Sequence, residues 1–158
     1  MKRTDREHAI RGDAGREGAP YVTPDGNALY FHARLAGNYH FDIYRAKKTA
    51  TGFDPPEWLS INTSESEGRV AVSPDELTIY FYHDYEQSDP TAPAGIWMST
   101  RTSVKDPFGQ KISLRELNDI DGAYPLWISW DGCRLYYGDQ DSQFNYWVYV
   151  AERTGVSR

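Results

Sequence analysis

The sequence predicts an all-β protein built from three copies of one short antiparallel unit, and three observations predict it. Aromatic residues make up 15% of the 158 residues, with 12 Tyr and 5 Trp, and aromatic and β-branched side chains suit pleated, half-buried surfaces. A turn sequence recurs as Thr23-Pro24-Asp25-Gly26, Ser73-Pro74-Asp75-Glu76 and Ser129-Trp130-Asp131-Gly132. The same run follows each turn, Leu29-Tyr30-Phe31, Ile79-Tyr80-Phe81 and Leu135-Tyr136-Tyr137, placing Asp25, Asp75 and Asp131 at spacings of 50 and 56 residues. Self-similarity at such periods is the mark of repeat architectures.

The elements follow in order. Residues 1–18 are charged and contain glycine, and are expected to form a polar tail or an edge strand. Each repeat then opens with a short strand, reaches the Asp turn, and returns through the aromatic run as a second strand. Proline presets φ, aspartate bonds its own backbone and glycine accepts positive φ, so the turn chemistry is explicit. Glu76 replaces that glycine in the second copy, which predicts a different turn type or local strain. A third strand is read from Asp42-Ile43-Tyr44-Arg45, Gly95-Ile96-Trp97-Met98 and Trp147-Val148-Tyr149-Val150. Outer strands are expected in Glu57–Ile61 and Lys111–Leu117, whose mixed charge suits an edge. The third copy stops at Arg153 before an outer strand can follow.

Units of four strands stacked by aromatic faces build a β-propeller. The expected fold is therefore a partial propeller of three four-stranded blades, the last incomplete: residues 19–66, 67–122 and 123–158. Leu29, Phe31, Ile79, Phe81, Leu135 and Tyr137 are assigned to one side of their blades, and Tyr30, Tyr80 and Tyr136 to the other. Closed propellers have about four to eight blades. A three-blade arc is expected to leave an aromatic face bare at each end. Three covers suggest themselves: a longer parent chain, a homodimer closing a six-bladed ring, or residues 1–18 supplying the missing strand.

With "TPDGNALYF" followed by "DIY", and "SPDELTIYF" followed by "GIW", the chain resembles the TolB-type, WD-repeat-like propeller family over about Glu17 to Arg153. The third copy departs, with Trp130 for proline and Trp147 for aspartate. The resemblance implies a propeller fold and interaction with other proteins more than catalysis.

Composition narrows the classes. A net charge of -6 offers no clustered cation for a phosphate backbone, so nucleic acid is not an expected partner. No apolar leader and no run of eighteen apolar residues occurs, so neither a signal peptide nor membrane insertion is expected. As written, the chain is expected to be cytoplasmic; as a fragment of a longer protein, periplasmic or extracellular. Cys133 stands alone and can form neither a disulfide nor a Cys-x-x-Cys pair.

Topology sorts the remaining candidates. Loops joining second to third strands gather at one end of the arc, and the Asp turns lie at the other. The loop end carries Glu65, Glu67, Asp84, Asp139 and Asp141, the opposite end Lys47, Lys48, Arg101, Lys111 and Arg153. Ligand-binding residues are expected to be His32, Arg34, Tyr39, His83, Asp84, Tyr85, Asp139, Asp141 and Phe144, in loops 32–40, 83–94 and 138–145. His32 and His83 are expected near the same end of neighbouring blades, where they could share a site. No catalytic residue, metal or cofactor is assigned: there is no Gly-x-Ser-x-Gly elbow or His-Glu-x-x-His. Asp139-Gln140-Asp141 lacks the glycine and distal glutamate of a calcium loop. The expected function is non-catalytic recognition of a protein or peptide through an acidic loop face. The alternatives are a carbohydrate-active hydrolase or the propeller portion of a peptidase, and a purely structural fragment.

Overall fold

A computed structural model of the chain describes residues 16–34, 38–84, 94–118, 122–141 and 143–153. Its strands are β1 (Arg16–Val22), β2 (Ala28–Arg34), β3 (Asp42–Lys47), β4 (Glu57–Trp58), β5 (Glu67–Val72), β6 (Thr78–His83), β7 (Gly95–Thr100), β8 (Ile112–Ser113), β9 (Tyr124–Ile128), β10 (Arg134–Gln140) and β11 (Tyr146–Glu152). They form three separate antiparallel sheets, β1-β2-β3-β4, β5-β6-β7-β8 and β11-β10-β9. This is the arc of two complete blades and one three-stranded blade. Among the described residues no helix is long and apolar enough to cross a membrane.

Two boundaries differ from expectation. Arg16, Glu17 and Gly18 pair with Arg34, Ala33 and His32, so the first blade begins inside the segment expected as a tail or edge strand, and this part of it joins the edge strand β1 of the first blade rather than serving the third. The outer strands contract to two residues each, and Arg115–Leu117 coils into a 3₁₀ turn. Each outer strand pairs with two residues of its partner, Trp58 and Glu57 with Tyr44 and Arg45, Ser113 and Ile112 with Trp97 and Met98.

The three Asp turns superimpose chemically. In each, the hydroxyl of Thr23, Ser73 or Ser129 donates to the aspartate two residues on, at 2.7, 2.6 and 2.6 Å. The aspartate in turn accepts the N–H of Asn27, Leu77 or Cys133, each at 3.0 Å. These bonds hold all three carboxyls below their ordinary range, led by the Asn27 N–H for Asp25 and by the serine hydroxyls for Asp75 and Asp131. The next residue turns left-handed: Gly26 at φ 71°, Glu76 at 58° and Gly132 at 69°. Of the two expectations for Glu76, the change of turn type does not occur and the strain does. Glutamate adopts the glycine conformation, which costs of order 1–3 kcal/mol for a residue with a Cβ, and something must hold it there.

Period-2 alternation sets the faces as expected. Tyr30, Ile79, Phe81, Ile96, Val70, Val72 and Leu135 join one core between blades, with Tyr80 and Tyr137 packed against it. Leu29 and Phe31 point away from that core into a second buried cluster with Ala33, Tyr44, Ala46 and Phe53. The outward face of the first blade is thus covered, where a bare aromatic surface was expected. At the other end of the arc the expectation holds: Trp127, Val148 and Val150 are exposed, and Trp127 meets Tyr136 at a tilt.

Candidate recognition surface and blade junctions

The ends of β2, β6 and β10 bring the candidate residues to one end of the arc, but not to one surface. Tyr39 and Phe144, in the β2–β3 and β10–β11 loops, are 87% and 79% exposed. Asp84 is also exposed at the end of β6, and Arg34 lies over the Phe41 ring. Tyr85 falls outside the described residues, as do residues 86–93 of its loop.

His83 differs from expectation. It is wholly buried, its Nδ1 lies 2.8 Å from Oε1 of Glu67, and Trp97 meets it edge-on. Glu67 is equally buried and accepts from the N–H and hydroxyl of Thr63. The reason is positional: β6 ends inside the blade stack, so a side chain there points into the core.

His32 is half-buried and sits between blades. A Cβ on Gly18 of β1 would lie 2.6 Å from its Nε2, and one on Gly68 of β5 2.2 Å from its Nδ1. Both glycines are therefore required by the ring. Burial, then the neighbouring Arg69, lowers the affinity of His32 for a proton. His32 and His83 hold different partners, Phe41 and Glu67, and among the described residues no three His, Cys, Asp or Glu side chains assemble into a metal site.

Asp139 is 6% exposed and accepts the N–H of Gln140 at 2.7 Å. Asp141 accepts from the N–H groups of Gln143 and Asn145, the Asn145 amide and the Trp147 indole. Those bonds, led by the indole, bring its pKa down to about 2. Asp141 is the keystone of the β10–β11 turn, with its oxygens engaged by donors. The acidic rim expected from sequence is thereby thinned, because Glu67 and Asp139 lie inside.

The residue expected to give an irregular turn proves to join the first two blades. Oε2 of Glu76 accepts from the Tyr30 hydroxyl at 2.6 Å and from Nε of Arg45 at 2.7 Å, and its Oε1 accepts from the other end of the Arg45 guanidinium at 3.2 Å. Arg101 donates its Nε to the Glu76 carbonyl at 2.7 Å and reaches the Tyr30 oxygen at 3.2 Å. Tyr30 and Arg45 belong to the first blade, Glu76 and Arg101 to the second. Burial alone would raise the Glu76 carboxyl, but Arg45, Tyr30 and Arg101 together outweigh it and hold the group below the ordinary glutamate range. Burial, then the Glu76 bond, raises Tyr30, which stays a phenol and donor.

The second junction is built differently. Arg69 stacks on Tyr124 at 3.9 Å near the inner strands. Further out, a cleft of about 410 Å³ opens among Tyr80, Met98, Leu117, Gly132, Leu135 and Arg153.

No protein-family model matches the chain, and no curated protein sequence matches it. Among solved structures it resembles TolB from Acinetobacter baumannii, with a TM-score of 0.55 and 19% identity over 90% of this chain. The match spans 30% of that chain's length. The likeness is one of fold: three sheets of four, four and three strands form part of a TolB-like β-propeller.

Proposed function

We propose that the chain is a non-catalytic propeller module that binds a protein or peptide through its loop end, as members of the WD-repeat-like propeller class do. The observation that carries this reading is the pair of large aromatic side chains, Tyr39 and Phe144, held almost fully in solvent on loops of the first and third blades. Aromatic anchors with a polar rim suit protein recognition. The arrangement of carboxylates favours recognition over hydrolysis. Glycoside hydrolysis needs two carboxyl groups facing a bond, whereas Glu67, Glu76, Asp139 and Asp141 are each engaged by internal donors.

The test uses the full 158-residue chain and a panel of basic, acidic and neutral peptides followed by amide chemical shifts. Basic peptides should perturb Tyr39, Asp84 and Phe144, and Tyr39→Ala with Phe144→Ala should weaken binding by about tenfold or more. Turnover of a glycoside or peptide substrate that Asp84→Ala abolishes would instead establish the hydrolase.

A further inference from the structure

The two complete blades close their outer edge with the same device. After β4, Asn62 folds back so that its Oδ1 accepts the N–H of Ile43 at 2.8 Å and its Nδ2 donates to the Ile43 carbonyl at 2.9 Å. After β8, Asn118 does the same to Ile96, at 2.7 and 3.1 Å. The main chain assists, Leu59 N–H reaching the Ile43 carbonyl at 3.2 Å and Leu114 N–H the Ile96 carbonyl at 3.0 Å. The residue before each asparagine is aliphatic: Ile61 is 1% exposed, and Leu117 packs on the core. Each blade edge is thus clipped by an aliphatic–Asn pair trailing a short strand.

Among the described residues, the third blade offers the same socket without a clip. Its strands keep the register of the others, since His32 faces Ile43, Tyr82 faces Ile96 and Gly138 faces Val148. Val148 therefore occupies the place of Ile43 and Ile96 and directs its N–H and C=O to the free edge of β11. Tyr149 and Val150 stand where Tyr44 and Arg45, or Trp97 and Met98, pair with an outer strand. In β11 the side chains of Trp147, Val148, Tyr149 and Val150 are 53%, 70%, 42% and 52% exposed. Trp147 does not block the place, for its indole is drawn to Asp141, and Asp42 at the same position in the first blade coexists with its clip.

We infer that the edge of β11 receives an extended segment of a partner polypeptide, carrying a short strand followed by an aliphatic–Asn pair, which completes the third blade. This goes beyond the loop-end reading and concerns a different surface. Strand addition to an exposed edge draws affinity from main-chain bonds and specificity from side-chain pockets. The two aliphatic–Asn pairs of this sequence, Ile61-Asn62 and Leu117-Asn118, are already committed to the first and second blades. The occupant is not a second copy stacking its first blade here, because Phe31, Ala33, Tyr44 and Ala46 on that outward face are already buried.

The probe is a synthetic peptide with the sequence of residues 55–63, Pro-Pro-Glu-Trp-Leu-Ser-Ile-Asn-Thr. Added to the full chain, it should bind saturably and slow hydrogen exchange at the Val148 amide. A peptide with alanine for its asparagine should bind about tenfold more weakly, the loss of a bidentate clip to a desolvated backbone. Val148→Pro, which removes the donor at an edge position that tolerates proline, should abolish binding; Val148→Ala should preserve it. Equal affinity of the alanine peptide, protection away from β11, or no binding at millimolar concentration would overturn the proposal. A dimer by light scattering with the β11 amides already protected would overturn it too, by naming the second copy as occupant.

Discussion

The two junctions between blades are made from the same backbone and differ at two of four corresponding side chains. At the first, Tyr30 and Arg45 of one blade meet Glu76 and Arg101 of the next. At the second, the corresponding residues are Tyr80, Met98, Gly132 and Arg153, and they line a cleft. Tyrosine and arginine are kept; the central carboxylate and its guanidinium partner are not. A buried charge network is no automatic source of stability, because desolvating the ions offsets much of their attraction. Its effect here is to tie two sheets at one point. Without it, the wedge between blades stays open.

The largest expected effect is from Glu76→Ala, which strands two buried arginines and a buried phenol. Urea denaturation should register a loss of about 3–5 kcal/mol. Glu76→Gly loses the same carboxylate but relaxes the left-handed backbone, so it should be less damaging than alanine by roughly 1 kcal/mol. Equal losses would mean that the turn carries no strain. Next comes the transplant. Met98→Arg and Gly132→Glu should each destabilise alone, by burying an unpartnered charge and by straining the turn, yet together show a favourable coupling of about 1–3 kcal/mol in a double-mutant cycle. Additive behaviour would show that the junctions differ by more than these residues.

Smaller still is the hydroxyl contrast. Tyr30→Phe should cost about 1 to 2 kcal/mol through the lost bond to a carboxylate, and Tyr80→Phe less than about 0.5 kcal/mol. The smallest effect is pH dependence. Because the folded state lowers the Glu76 carboxyl below its ordinary 4.5, the stabilisation it brings is complete above that value. It fades as pH falls through the lowered one. Wild type should therefore lose stability more steeply below pH 4.5 than Glu76→Gln, measured by chemical denaturation at stepped pH.

Much of the fold could be read directly from sequence because its signals are local. Thr23 to Ala28, Ser73 to Thr78 and Ser129 to Arg134 each enclose their own turn bonds within five residues. The alternation that follows assigns Leu29 and Tyr30 to opposite faces without knowledge of any neighbour. The site was less legible because its determinants are distant. Glu76 stands out from the repeat, yet its partners lie 31, 46 and 25 residues away, and nothing local names them. His83 and Asp139 look like rim residues by their place at strand ends, and only the stacking of sheets reveals that those ends are inside. The asparagine clip was hidden for another reason. Asn62 and Asn118 follow weak, two-residue strands, although their shared position after an aliphatic residue was a signal present in both repeats.

The left-handed residue of the second Asp turn, Glu76, reaches the preceding blade, and Gly132 holds the same place in the third turn beside a cleft. Glycine there leaves a cleft at that corner, while a longer acidic side chain reaches across and locks the blades. One codon per repeat thus acts as a latch setting, independent of the hairpin that carries it. Rigidity could be distributed unevenly around such an arc, stiff where a carboxylate occupies the slot and compliant where it does not, with no strand, register or loop needing to change.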